Sequence, residues 1–80
     1  MLDTVIGPVT NVFSAVSFQM NVTHIGRHNK FRYNTYENIF IESNQTRYTL
    51  NQLHFSRRRI KCHIKFRDAY SRLHADIYLE

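Results

Sequence analysis

From Ile60 onward the chain alternates apolar and polar residues in two successive runs, and this constrains the fold more than any other feature. Ile60, Cys62, Ile64 and Phe66 are separated by Lys61, His63 and Lys65; Leu73, Ala75, Ile77 and Leu79 are separated by His74, Asp76 and Tyr78. A period of two belongs to a strand with one buried face. With Asp68-Ala69-Tyr70-Ser71 as the loop, a hairpin pairs Phe66 with Leu73, Ile64 with Ala75, Cys62 with Ile77 and Ile60 with Leu79. The same register sets His63 opposite Asp76 and Arg59 opposite Glu80 on the other face. A slip of one residue would break both patterns. A helix over residues 67–75 accounts for neither run.

The middle of the chain answers to the same test. A turn at Asn44-Gln45 pairs Glu42 with Arg47, Ile41 with Tyr48, Phe40 with Thr49 and Ile39 with Leu50. A loop over Gly26-Arg27-His28-Asn29 pairs Val22 with Tyr33, Met20 with Thr35 and His24 with Phe31. Residues 30–43 then read as one long strand bent near Asn34 to Asn38, and the change of parity between Tyr48, Leu50 and Leu53, Phe55 reads as a bulge at Asn51-Gln52. At the N-terminus, Pro8 suits a first helical turn, and Val9, Val12, Phe13 and Val16 follow helical spacing, which predicts a short helix near residues 3–15. Gly7, Thr10, Asn11 and the β-branched residues leave an extended arm as the alternative. The expected fold is therefore mainly β, in one domain over residues 1–80: an N-terminal helix or arm (1–16), then a five-stranded antiparallel meander (17–80). Curling into a small barrel would remove the exposed edges. The element order resembles that of Sm-like barrels, without a diagnostic Sm motif.

Eighty residues, 42% of them hydrophobic, suffice for one core and exclude a large enzyme. Cys62 is the only cysteine, so there is no internal disulfide or four-cysteine zinc module, and a reducing, cytoplasmic setting fits. Asp3 stands where a secretory signal would carry base, and no stretch approaches the roughly 20 apolar residues of a membrane span. The sequons at Asn21 and Asn44 read as chance. With Gly7 and Gly26 the only glycines, a glycine-rich phosphate loop cannot be built.

Charge supplies the functional expectation. Eleven Lys and Arg oppose six Asp and Glu, giving +5, and residues 1–26 contain only Asp3 among the charged types. On the strand reading, Arg57, Arg59, Lys61, His63, Lys65 and Arg67 project from one face at about 6.6 Å intervals over roughly 33 Å. Such a row is favourable when a polyanion neutralises it, and Arg58, Lys30, Arg32, Tyr36 and Tyr78 are placed to join it, the tyrosines as stacking surfaces. The bland alternative is a solvated strand edge protected by like charges. Phe13, Phe18, Phe31, Phe55 and Phe66 read as core residues. His24-x3-His28 falls on a strand end and loop, while Cys62 and His63 face opposite ways, so no metal site or cofactor is expected. His63 with Asp76 could form an oriented general base, but an ordinary cross-strand pair explains it as well, and no catalytic residues are expected.

The expectation is a non-enzymatic domain binding nucleic acid, single-stranded or RNA, through the basic strand. The rival is a protein-interaction module, a small assembly subunit or inhibitor docking on an acidic protein. There Val5, Ile6, Val9, Val12, Phe13 and Val16 would leave an apolar face for self-association through residues 4–16. Short length, abundant Asn and tight turns suit a phage or plasmid product.

Overall fold

The computed structural model describes residues 2–80. Strands β1 (Asp3–Ser14), β2 (Ser17–Asn21), β3 (His24–Ile25) and β4 (Tyr36–Asn44) precede helix α1 (Leu50–Ser56), and β5 (Arg59–Arg67) and β6 (Leu73–Leu79) follow it. Five strands close into a barrel in the order β1-β2-β4-β6-β5 and back to β1, with β3 added beside β1. All pairings are antiparallel except β4 with β6, which is parallel. The barrel is as expected; the meander is not, because a parallel neighbour requires a crossover, and α1 with β5 supplies it.

The N-terminal helix is also corrected. From Asp3 to Thr10 burial alternates residue by residue, with Val5 and Val9 inside. The β-branched Thr4, Val5, Ile6, Val9 and Thr10 favour this extended form, and the strand pairs on both sides, which outweighs the helical spacing of four apolar residues. Pairing to β5 ends at Pro8 and pairing to β2 begins at Val9. Proline, which has no N–H to donate, thus sits where the partner changes. Residues 4–16 therefore pack largely on their own barrel, with Phe13 and Val16 left exposed.

The helix lies instead where a hairpin was expected after Asn44-Gln45. Asn44 Oδ1 accepts from the Thr46 amide and hydroxyl, turning the chain away from β4. Thr49 then caps α1: its hydroxyl accepts from the Gln52 amide while the Gln52 side chain accepts from the Thr49 amide. Leu50 and Leu53, whose spacing resembled a strand bulge, are the buried face of this helix, which packs against β1. Arg57 ends it in the left-handed region at φ 55°. The long strand over residues 30–43 shortens to β4, and Met20 pairs with Glu37 rather than Thr35. Residues 26–35 form a loop.

The C-terminal hairpin has the expected register for Ile64–Ala75, Cys62–Ile77, Ile60–Leu79 and His63–Asp76. A bulge between Ile64 and Phe66 then sets Phe66 opposite His74 instead of Leu73. One extra residue reverses the faces, so Phe66 turns out to solvent and Arg67 turns inward. Of the five phenylalanines assigned to the core, only Phe18 is buried; Phe13, Phe31, Phe55 and Phe66 are exposed.

Gly7 is required by a close approach, since a Cβ there would lie 1.7 Å from the Asn21 carbonyl oxygen. Gly7→Ala should therefore force β1 and β2 apart and lower stability by about 1–3 kcal/mol in urea denaturation. An unchanged midpoint would show that the approach is not needed.

Candidate nucleic-acid interface

Arg59 and Lys61 on the outer face of β5, and Lys65 at the bulge, carry their charge to the barrel exterior, but not as a free ladder. Arg59 Nε lies 2.7 Å from Glu80, and Lys65 Nζ lies 3.4 Å from Asp76. Lys61 sits opposite Tyr78, whose ring lies 4.7 Å from that of His63. Arg57 and Arg58 belong to the helix end rather than the strand, with Arg58 over the ring of Tyr48 at 5.5 Å. Lys30 and Arg32 are exposed in the 26–35 loop, and Tyr36 is exposed at the start of β4.

Arg67 serves the fold. Behind the bulge it makes two hydrogen bonds, 2.9 and 3.0 Å, to the buried carboxylate of Glu37. Those bonds raise the guanidinium pKa further, against the opposing cost of desolvation. Asp3 at the start of β1 does comparable work: it accepts from the Lys30 and Phe31 amides and from the Tyr33 hydroxyl. The Lys30 amide leads in lowering its pKa below 3.8. Burial, then the Asp3 carboxylate, pushes the Tyr33 phenol upward. This hub ties the 26–35 loop to the barrel end.

A second surface, absent from the sequence reading, lies across the outer faces of β4, β6 and β5. In one row stand Phe40, His74 and Phe66. Phe66 stacks on His74 at 4.3 Å and 14°, and Phe40 lies 4.9 Å from the same imidazole. From the β5–β6 loop, Arg72 extends over Phe40 at 5.2 Å and Tyr70 at 5.5 Å. Half of Phe66 and four-fifths of Tyr70 are solvent-exposed.

Asp68 holds this arrangement. It accepts from the Tyr70 and Arg72 amides, from Arg72 Nε at 2.8 Å, and faces His74 Nε2 at 2.8 Å. Burial raises its pKa, but the contacts with His74 and Arg72 outweigh that and hold the carboxyl far below its ordinary range. The other imidazole nitrogen, Nδ1, is buried without a hydrogen bond, 3.4 Å from Glu42.

Asp3, Glu37, Asp68 and Glu80 are held by hydrogen bonds or close ion pairs, Asp76 and Glu42 make only 3.4 Å contacts to Lys65 and His74, and Arg27, Lys30, Arg32, Arg47, Arg57, Arg58 and Lys61 make no ion pair among the described residues. Phe40, Phe66, Tyr70, Arg72 and His74 escaped sequence reasoning because alternation gives each residue a face but not its neighbours across a parallel pairing. The adjacent Tyr70 and Arg72 were the available signal.

Cys62 is fully buried against Met20, and burial pushes its thiol pKa upward. Among the described residues no group of three His, Cys, Asp or Glu side chains could hold a metal, and no helix is long and apolar enough to cross a membrane. Comparison with protein-family models, curated proteins and solved structures yields no match for this chain.

Two stability tests follow. Folded-state values depressed below 3.8 mean that Asp3 and Asp68 contribute stability that is present above that pH and lost as the pH falls below it. Asp68→Asn should lower the urea midpoint at about pH 7 and differ much less from the parent near pH 2. An equal gap at both would remove Asp68 from the account. Arg67→Met should cost about 2–3 kcal/mol in the same assay, because Glu37 would be left buried and unpaired. A loss confined to ligand binding would contradict this structural role.

Proposed function

We propose that this domain binds single-stranded nucleic acid, without catalysis, on the outer face formed by β2, β4, β6 and β5. The observation that carries the reading is the row of Phe40, His74 and Phe66 continued by Arg72 and Tyr70. It offers stacking surfaces to bases in a protein whose excess charge attracts phosphates. The strand order supports it: a five-stranded barrel with a parallel third–fifth pairing and a helix between its third and fourth strands has the connectivity of the oligonucleotide/oligosaccharide-binding barrel rather than the Sm barrel. In that architecture the second and third strands, with the first–second and fourth–fifth loops, form the usual ligand face. Here those are β2, β4, the 15–16 turn and the 68–72 loop. On this face β2 and β4 present Gln19, Asn21, Tyr36, Asn38 and Phe40, with no acid before Glu42.

Lys61, Arg57, Arg58, Lys30 and Arg32 supply phosphate contacts in this reading. Arg59 supplies one by exchanging Glu80 for a phosphate, an exchange of little cost because exposed ion pairs are weak, whereas Lys65 keeps its contact with the largely buried Asp76 while facing the strand. Arg67 stays with Glu37. Tyr78 supports His63 beside Lys61.

Labelled single-stranded DNA, RNA and duplex DNA, titrated at about 50 and about 200 mM salt, test the proposal by fluorescence anisotropy. The single strands should bind more tightly than the duplex, with affinity falling by orders of magnitude between the two salts. Phe40→Ala and Tyr70→Ala should each cost about 1–3 kcal/mol of binding, while Lys61→Ala should reduce the salt slope by about one. No single-strand binding at low salt would overturn the proposal. One observation favours a protein partner instead: Phe55 is 92% exposed at the end of α1. A stable oligomer in sedimentation, indifferent to oligonucleotides, would select that reading.

A further inference from the structure

Where Asp3 anchors the 26–35 loop, the loop and the end of β5 leave an open groove of about 410 Å³ at the barrel end. Ile64 and Leu73, both buried, lie beneath it, Phe31 and Phe66 contribute rings, and Lys30 and Lys65 contribute charge. Phe31 is 72% exposed, although its own amide is fixed to Asp3. Phe31 thus presents a ring, positioned through its own backbone, at the mouth of an apolar-floored groove.

The chemistry narrows the occupant. Of the two carboxylates at this end, Glu37 is neutralised by Arg67, while Asp3, held by three neutral donors, stays ionised in the lining and is offset by the charges of Lys30 and Lys65. Lys30 is exposed without an acidic partner, and Lys65 has only the 3.4 Å contact to Asp76. Aromatic walls, an aliphatic floor and an ammonium group suit a ligand that is flat and aromatic at one end and anionic at the other. A nucleotide has that form. Phe66 belongs both to this groove and to the row with His74 and Phe40, so a strand lying along the row reaches the groove without leaving the protein.

Building on the single-strand reading, we propose that the groove takes one nucleotide of the bound strand, its base against Phe31 and Phe66 and its phosphate on Lys30. The base is recognised by stacking, because the groove's two carboxylates are already occupied by donors, and the site accepts any of the bases.

A set of short oligo(dT) strands, each with one 2-aminopurine at a different position, tests this. Anisotropy measures binding, and 2-aminopurine fluorescence measures stacking. In the parent protein, quenching at one position should depend on Phe31. Phe31→Ala should abolish it and weaken binding roughly tenfold, Phe31→Trp should restore both, and the thermal melt should stay unchanged in either variant because the ring is exposed. If the parent binds the strands but Phe31→Ala changes neither readout, the groove is not a nucleotide site and the single-strand reading survives. If the parent binds no strand at low salt, both readings fall.

Discussion

β1 is hydrogen-bonded to β5 over Asp3–Pro8 and to β2 from Val9 onward, and the other elements take their places from that shared strand. Sharing it closes the barrel, so the β2 and β5 sides join without a free edge between them. Closure in turn demands a tight passage at Gly7, where the Asn21 carbonyl leaves no room for a side chain. The aspartate at the start of the same strand organises the 26–35 loop, and with it the groove. The strand that completes the core also shapes one end of the surface.

The second decisive feature is the bulge between Ile64 and Phe66. Without it, Phe66 would point inward toward Leu73 and Arg67 would continue an external row of cations. With it, a phenylalanine joins the exposed aromatic row and an arginine neutralises buried Glu37. Burial of an unpaired carboxylate at the barrel end would be unfavourable, and the inward turn of Arg67 satisfies it with two charge-assisted hydrogen bonds. One inserted residue thus puts an aromatic on the outer face and aims a partly exposed cation at the buried carboxylate of the barrel end.

Electrostatics gives the surface its sign. Four of the carboxylates lie against a lysine, an arginine or both an arginine and an imidazole, Asp3 is held by neutral donors and Glu42 only approaches His74, so most of the charges left without an ion pair are positive. They are spread over the 26–35 loop, the segment before the helix, the helix end and β5, not concentrated in one ladder. In the proposed function, this distribution would draw a polyanion from many directions and the aromatic row would seat it.

The C-terminal hairpin was legible from residues 60–79 because its alternation had to match across both faces at once. The capping box Thr49-x-x-Gln52 was also present in the sequence and announces α1, although the parity of Tyr48, Leu50, Leu53 and Phe55 looked like an interrupted strand. By itself, then, the sequence determined a mainly β domain of one core, its last register and its positive charge, since these depend on neighbours along the chain or across one turn. Arg59 opposite Glu80 was legible from the hairpin register, whereas the parallel pairing of β4 with β6, the double role of β1, the outward turn of Phe66 and the pairing of Arg67 with Glu37 were decided only by the tertiary structure. Each brings together residues far apart in sequence, and closing the barrel fixes their register where local pattern leaves it open.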